Sequence, residues 1–411
     1  MLGISFLFLL PKIINHIIGL FPSKRFPEAK KNHKFAILIP ARNESAVIEG
    51  LLKSIKNQSY DNRLLDTYVV VESKDDPTCE IVKKYKHTNI FVRKHLELKG
   101  KGQALNEVVV DILSKGKKYD AYFIFDADNV LTKNFVKEMN KCFDAGYQIA
   151  LGYRNSKNWN DGWVASCSAL TFSMVNTLNN KGRTKINKKS TVSGTGFYVS
   201  GKIIAEMGGW KFFSLTEDYE LTMFSTIKNL KVAYNEYAEF YDEQPTKLKT
   251  SWNQRLRWVK GYTQVNKNYK KELIRSIFTE RKNFFGKMET LLNILPVVLL
   301  LVTSFSYAFF TLGLGIAGSI LGVAERWKVY MAFGISSFSI YLFFMLYMGL
   351  MLIAERKRIN ITNKNAFIAT VMGPLFLALY IPLAITSICK KEVEWKPIVH
   401  SVNISESDMQ K

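Results

Sequence analysis

Cysteine is scarce in this 411-residue chain and badly placed for bonding: Cys79, Cys142, Cys167 and Cys389 lie far apart, with no CxxC pair and no histidine at metal-ligand spacing. That pattern argues against a disulfide framework and a zinc site, and for free thiols in a reducing compartment. No internal repeat or low-complexity tract is present, which sets aside the fibrous and disordered classes. Acidic residues are also short, 35 against 57 lysines and arginines, leaving a net charge of +22. Such an excess suits nucleic acid, anionic lipid or a phosphorylated substrate alike, so the position of the charges has to discriminate. No recognised nucleic-acid motif accompanies it.

Apolar residues are abundant, 47% of a length that predicts two or three structural units. Three uncharged stretches, 290–324, 329–354 and 365–389, each exceed the roughly 20 residues that cross a bilayer core. Membrane helices tolerate the interior Pro296, Pro374 and Pro382. The stretches hold no pair of opposite charges, which argues against an ion transporter. Segment 1–22 is apolar apart from Pro11 and Lys12. It lacks the early positive charge and the cleavage site of a signal peptide, and reads as an uncleaved anchor. Lys24, Arg25, Lys30 and Lys31 follow it, and Arg356, Lys357, Arg358 and Lys364 separate the last two stretches. The positive-inside rule puts both groups, and the polar middle between them, in the cytoplasm. Three full crossings would leave Lys390, Lys391 and Lys396 outside, so the last stretch is expected to be re-entrant.

From Phe35 onward, short apolar runs alternate with helical patterns, which predicts an α/β domain with a largely parallel sheet. Strands are expected at 35–40, 67–71, 89–92, 122–125, 148–153 and 192–199, and helices at 44–56, 76–85, 102–113 and 214–227. A basic, aromatic piece at 252–269 suits a membrane surface.

Asp126 and Asp128, one residue apart after a buried strand, are placed where open α/β sheets bind ligands and offer hard oxygens to magnesium or manganese. Alone, such a pair carries little weight, since a solvated loop gives the same pattern. Thr216-Glu217-Asp218 opens a helix. Thr216 there suits an N-cap and the carboxylates suit the dipole, while Asp218 equally suits a general base toward a hydroxyl. Gln254-Arg255-Leu256-Arg257-Trp258 places Gln254, Arg257 and Trp258 on one helical face, fit for a diphosphate and a sugar ring or for lipid headgroups.

The order Ile39-Pro40-Ala41-Arg42-Asn43-Glu44, Lys99-Gly100-Lys101-Gly102, Asp126-Ala127-Asp128, Thr216-Glu217-Asp218 and Gln254-x-x-Arg257-Trp258 resembles the family 2 glycosyltransferases. These include the cellulose, chitin and hyaluronan synthases and bacterial exopolysaccharide enzymes. The resemblance covers about 35–262. It implies a GT-A domain at 35–250, interfacial helices at 251–285, a membrane region at 290–389 and a polar tail at 390–411, in a multi-pass plasma-membrane enzyme with its catalytic domain in the cytoplasm. The reaction implied is inverting transfer from a nucleotide-diphosphate sugar, with a UDP-sugar favoured, aided by magnesium or manganese. By resemblance, Asp218 and Glu217 are catalytic. Pro40, Arg42, Glu44, Glu72, Asp75, Lys101, Asp126, Asp128 and Arg257 hold the donor, with Asp126 and Asp128 on the metal. Gly194, Thr195, Gln254 and Trp258 meet the acceptor. Where family members carry an aspartate after the second strand, this chain reads Glu72-Ser73-Lys74-Asp75-Asp76, which leaves open which carboxylate reaches the nucleoside.

The implied acceptor is a growing polysaccharide, with a single lipid acceptor as the alternative. About four membrane segments are few for a polymer channel, so a homo-oligomer or a separate exporter is an expected partner beside the bilayer; nucleic acid is not. A non-enzymatic basic scaffold is the distant alternative, and it would tolerate neutralisation of Asp126, Asp128 or Asp218.

Overall fold

The structure, a computed structural model, describes residues 14–393 except 24, 187, 281, 293–295 and 323–324. Most of the expected anchor at 1–22 and nearly all of the expected tail therefore lie outside the described residues. Eight strands form one sheet: β1 (Phe35–Pro40), β2 (Leu65–Val71), β3 (Thr88–Val92), β4 (Ala121–Ile124), β5 (Val130–Leu131), β6 (Ile149–Ser156), β7 (Phe197–Ser200) and β8 (Val232–Asp242). Their order is β3-β2-β1-β4-β7-β6-β8-β5. The first four are parallel; β7 runs antiparallel to β4 and β6, and β5 antiparallel to β8. The parallel half thus matches the α/β expectation, and the other half is mixed.

Strand β1 shows why the sheet is buried on both faces. Phe35, Ile37 and Ile39 point into one core with helices α1 (Ile48–Lys56), α2 (Thr78–Val82) and α4 (Phe135–Asp144), while Ala36 and Leu38 point into another with α3 (Lys101–Ser114). A period of two with apolar residues in both phases is what a strand covered by helices on each side requires. The carboxyl ends of β1, β2 and β4 consequently open onto one edge, and the loops there carry Pro40, Glu72 and Asp126.

The strand expected at 192–199 begins only at Phe197, because Gly194 and Gly196 adopt φ of +60° and +70°. A Cβ on Gly196 would lie 2.1 Å from the Phe240 ring, so the loop needs glycine both for backbone hand and for close approach.

Beyond the sheet lie α5 (Trp163–Ser173), α6 (Gly201–Met207), α7 (Glu217–Ile227), the 32-residue α8 (Leu248–Thr279), α9 (Phe284–Leu292), α10 (Pro296–Ile320), α11 (Arg326–Glu355), α12 (Asn363–Ala378) and α13 (Tyr380–Cys389). Two helical stretches among the described residues are long and apolar enough to cross a membrane, Trp327–Glu355 and Asn363–Cys389. The second is interrupted at Leu379, near Pro382, whose missing N–H leaves a carbonyl unpartnered in the preceding turn. These helices dock on the sheet-bearing half through a core joining Trp159, Val164 and Leu170 to Met348, Met351 and Phe376. Polar contacts reinforce it: Tyr153 Oη donates to Glu355 at 2.8 Å, and Arg358 lies 4.3 Å over the Tyr153 ring.

Gly196→Ala is expected to destabilise the fold by about 2–4 kcal/mol through backbone strain and overpacking against Phe240. Thermal unfolding in detergent measures this, and a midpoint equal to wild type contradicts the close approach.

Candidate active site

Lys101 begins α3 just after Gly100, whose φ of +112° turns the chain into the helix. Its ammonium donates to Asp126 Oδ1 at 2.6 Å and to the Gly194 carbonyl at 2.7 Å, and lies 3.6 Å from Glu217 Oε1. One cation thus joins residues from four separate motifs. Burial works to deprotonate Lys101, but Asp126, Glu217 and Asp218 outweigh it and hold its pKa above the ordinary lysine value.

The 193–196 loop knits the same groups from the other side. Thr195 Oγ1 accepts from the Asp126 N–H at 2.9 Å and donates to Asn129 Oδ1, while the Gly194 N–H donates to Asp218 Oδ2. Asp128 accepts from the Glu243 N–H at 2.9 Å and from Asn129 Nδ2 at 3.3 Å. The acidic pair is therefore fixed by backbone and side-chain donors, which an ordinary solvated loop does not provide.

Asp218 and Glu217 open α7. Thr216 takes the N-cap position expected of it but makes no capping bond; its buried hydroxyl is unpartnered and packs where Gly261 of α8 passes. The Ser214 N–H is satisfied instead by Glu220 Oε2 at 2.8 Å. Burial pushes Glu217 up to about 7, Asp218 adds to the shift, and Lys101 and Arg257 oppose it. From α8, Arg257 donates to the Leu215 carbonyl at 2.8 Å, which ties this helix to the loop before α7. Trp258 meets Phe172 edge to face at 5.5 Å, and Gln254 lies one turn before it, half-buried. The intervening Arg255 points away, donating to the Phe376 carbonyl at 2.9 Å.

The first loops form the outer wall. Pro40 ends β1; Arg42 pairs with Glu72 at 3.0 Å, and Arg93 stands 3.9 Å from the same carboxylate. The backbone of Glu44 donates to Thr78 Oγ1. Among the three carboxylates after β2, Asp76 is buried and accepts from the N–H groups of Asn43 and Thr78, so its work is to shape the loop. Asp75 is exposed and bonded to Ser73. Glu72 is half-buried just beyond β2 and pairs with Arg42.

Several residues at the site were missed in the sequence reading. Arg154 from β6 bonds Asp242 at the end of β8, lies 3.8 Å over the Phe172 ring and approaches Gly194. Burial lowers the pKa of Lys157, and Asp128, Glu243 and Asp242 resist that shift. Asn129 directly follows the acidic pair. The available signal was β8 itself, but its alternation slips: Gly152 pairs with Asn235 and Tyr153 with Glu239, so three residues bulge out between them.

Among the described residues, no three His, Cys, Asp or Glu side chains stand ready to hold a metal. Asp126 and Asp128 supply two hard carboxylate oxygens. Magnesium sites commonly use one or two carboxylates and take the remaining oxygens from substrate phosphate and water. The donor set therefore fits magnesium or manganese arriving with a diphosphate.

The pattern of the family described as glycosyltransferase like family 2 matches residues 33–261. A probable glycosyltransferase of Bacillus subtilis, YdaM, is 26% identical over 89% of this chain and 86% of its own length. A beta-monoglucosyldiacylglycerol synthase of a Nostoc species is 25% identical over 61% of this chain; the match spans about half of that protein, 53%. A solved mannosyltransferase from Pyrobaculum calidifontis, PcManGT, in complex with GDP-Man and Mn2+, superposes with a TM-score of 0.56 at 12% identity, over 92% of this chain and 98% of that one. The likeness in structure is one of fold, a GT-A domain. With the family pattern covering more than half of the chain, this protein belongs to the family 2-like glycosyltransferases and is a glycosyltransferase.

Proposed function

We propose that the chain is a membrane-bound, inverting glycosyltransferase that takes a sugar from a nucleotide-diphosphate donor and passes it to an acceptor hydroxyl presented at the bilayer surface. The observation that carries this reading is the Lys101 ammonium, shared by Asp126, the Gly194 carbonyl and Glu217. It brings the donor carboxylates, the acceptor loop and the catalytic acidic motif to one point.

In this reading Asp126 and Asp128 hold magnesium or manganese, which would supply Lewis-acid charge compensation to the departing diphosphate. Lys101 and Arg257 add fixed positive charge beside the same phosphates, the contribution expected to be largest in such a site. Asp218, oriented by the Gly194 N–H, takes the proton of the attacking hydroxyl. Trp258 and Phe172 offer aromatic faces to the acceptor sugar, with Gln254 beside them. Pro40, Arg42, Glu44 and Glu72 line the nucleoside side, a UDP-sugar being the favoured donor.

The membrane reading is supported by the two apolar helical stretches among the described residues, and the basic 356–364 loop supports a cytoplasmic catalytic domain. The last helix, broken at Leu379, is the segment proposed to turn back, keeping Lys390, Lys391 and Lys396 on the catalytic side. Two acceptors remain in view. The Gln-x-x-Arg-Trp motif favours a growing polysaccharide, delivered through a homo-oligomer or a separate exporter. The activity named for the Nostoc relative and the two membrane-length helical stretches among the described residues favour a lipid such as diacylglycerol.

Purified protein in nanodiscs, offered UDP- and GDP-sugars with magnesium or manganese, is expected to release nucleoside diphosphate from one donor and to glycosylate lipid or glycan. Asp218→Asn should reduce transfer by about 10²–10⁴-fold while donor binding persists. Wild-type turnover in that variant contradicts the assignment.

Glu217 gives a second expectation. Folded, it holds its proton up to about 7, against an ordinary value of 4.5. The folded state therefore binds more protons in that window, and stability falls as pH rises from 4.5 toward 7. Glu217→Gln should flatten this decline, read as thermal midpoints between pH 5 and 8; an unchanged slope contradicts it.

A further inference from the structure

A cavity of about 660 Å³ opens beside the first turns of α12, away from the donor carboxylates. One wall is a continuous helical face of Phe367, Ile368, Val371 and Met372; Trp163 at the start of α5 faces it, and Lys364 stands at the mouth. The spacing of one, four and five residues puts the four apolar side chains along one line of the helix. This line lies in a stretch long and apolar enough to cross a membrane, and Phe367 is 70% exposed.

The rim is positive. Lys364, Arg356 and Lys357 are exposed around the start of α12, whose N-cap is Thr362, while Asp161 is the one carboxylate in the adjoining loops 155–163 and 356–365. The positive end of the helix dipole adds to these cations. The neighbouring amides are already committed: Asn160 Oδ1 accepts from the Thr362 N–H at 2.9 Å and from Asn365 Nδ2 at 3.1 Å. The mouth thus carries an exposed ammonium beside an apolar slot.

We propose that this cavity binds one anionic glycerophospholipid of the surrounding leaflet, with an acyl chain along the α12 wall and the phosphate at Lys364. The site rests on the reading that α12 sits in a bilayer. Its consequence for activity runs through Trp163, which meets the Phe376 ring edge-on at 6.2 Å. Arg255 of α8 lies 3.9 Å over that same ring and donates to its carbonyl. A lipid against Trp163 therefore stabilises the seat of the helix that carries Gln254, Arg257 and Trp258, and leaflet composition becomes coupled to the acceptor side of the site.

The test is native mass spectrometry of the full chain in mild detergent, exposed to equal phosphatidylglycerol and phosphatidylcholine. Wild type should retain one phosphatidylglycerol with a preference of roughly 30- to 150-fold, as two to three nearby cations imply. Val371→Trp, which fills the slot, should lose the retained lipid. Lys364→Glu should keep a lipid but lose the headgroup preference, which holds the test open if the tryptophan variant folds poorly. Retention by Val371→Trp at the wild-type level, or an unchanged preference in Lys364→Glu, overturns the site. Lipid retention is read without turnover, so inactivity toward every donor leaves this result intact and counts against the transferase reading alone; a chain soluble without detergent overturns the membrane reading instead.

Discussion

The structure turns on one half-buried ammonium group set among carboxylates of two motifs about ninety residues apart. Lys101 bridges Asp126 and Glu217 and takes the Gly194 carbonyl as a third partner. A half-buried charge of this kind is favoured where its surroundings are held in place, and here the neighbouring loops are held by further interactions. The Asp126 N–H donates to Thr195 Oγ1, the Gly194 N–H donates to Asp218, and Thr216, just ahead of Glu217, packs where Gly261 passes. In the proposed reading, donor, acceptor and acid–base elements share this one electrostatic centre, and the Lys101 charge stands ready for an entering diphosphate.

The apolar helices are an integral support for that centre. Arg255, inside the Gln-x-x-Arg-Trp motif, faces away from the site and grips α12 at Phe376, while Arg257, two residues on, holds the loop before α7. One helix thus clamps the apolar helices on one side and the sheet-bearing half on the other. Tyr153, Glu355 and Arg358 make a second clamp between β6 and the hairpin of α11 and α12.

Much of this was legible beforehand. The parallel half of the sheet, with Pro40 ending β1 and Glu72 and Asp126 just beyond β2 and β4, followed from apolar runs punctuated by loops. The other half was less readable for specific reasons. Strand β8 loses its alternation at the 236–238 bulge, and α5 is buried on nearly every face, so it shows no amphipathic period. The 192–199 run reads as a strand by composition, but its glycines are spent on a loop that joins Lys101, Asp126 and Asp218. Among the candidate residues, Lys101, Gly194, Thr195, Glu217 and Asp218 meet directly, and Arg257 stands beside them. Arg154, Lys157 and Asn129 escaped notice because their partners lie far away in sequence or on the unrecognised strand β8.

The most direct test of the Lys101-centred account is Lys101→Met, measured for nucleoside diphosphate binding with manganese by calorimetry and for transfer by steady-state kinetics. The account predicts weakened diphosphate binding together with a loss of kcat/KM of about 10²–10³-fold, the scale of removing one preorganised charge stabiliser. Wild-type affinity and turnover in a folded Lys101→Met chain would contradict it.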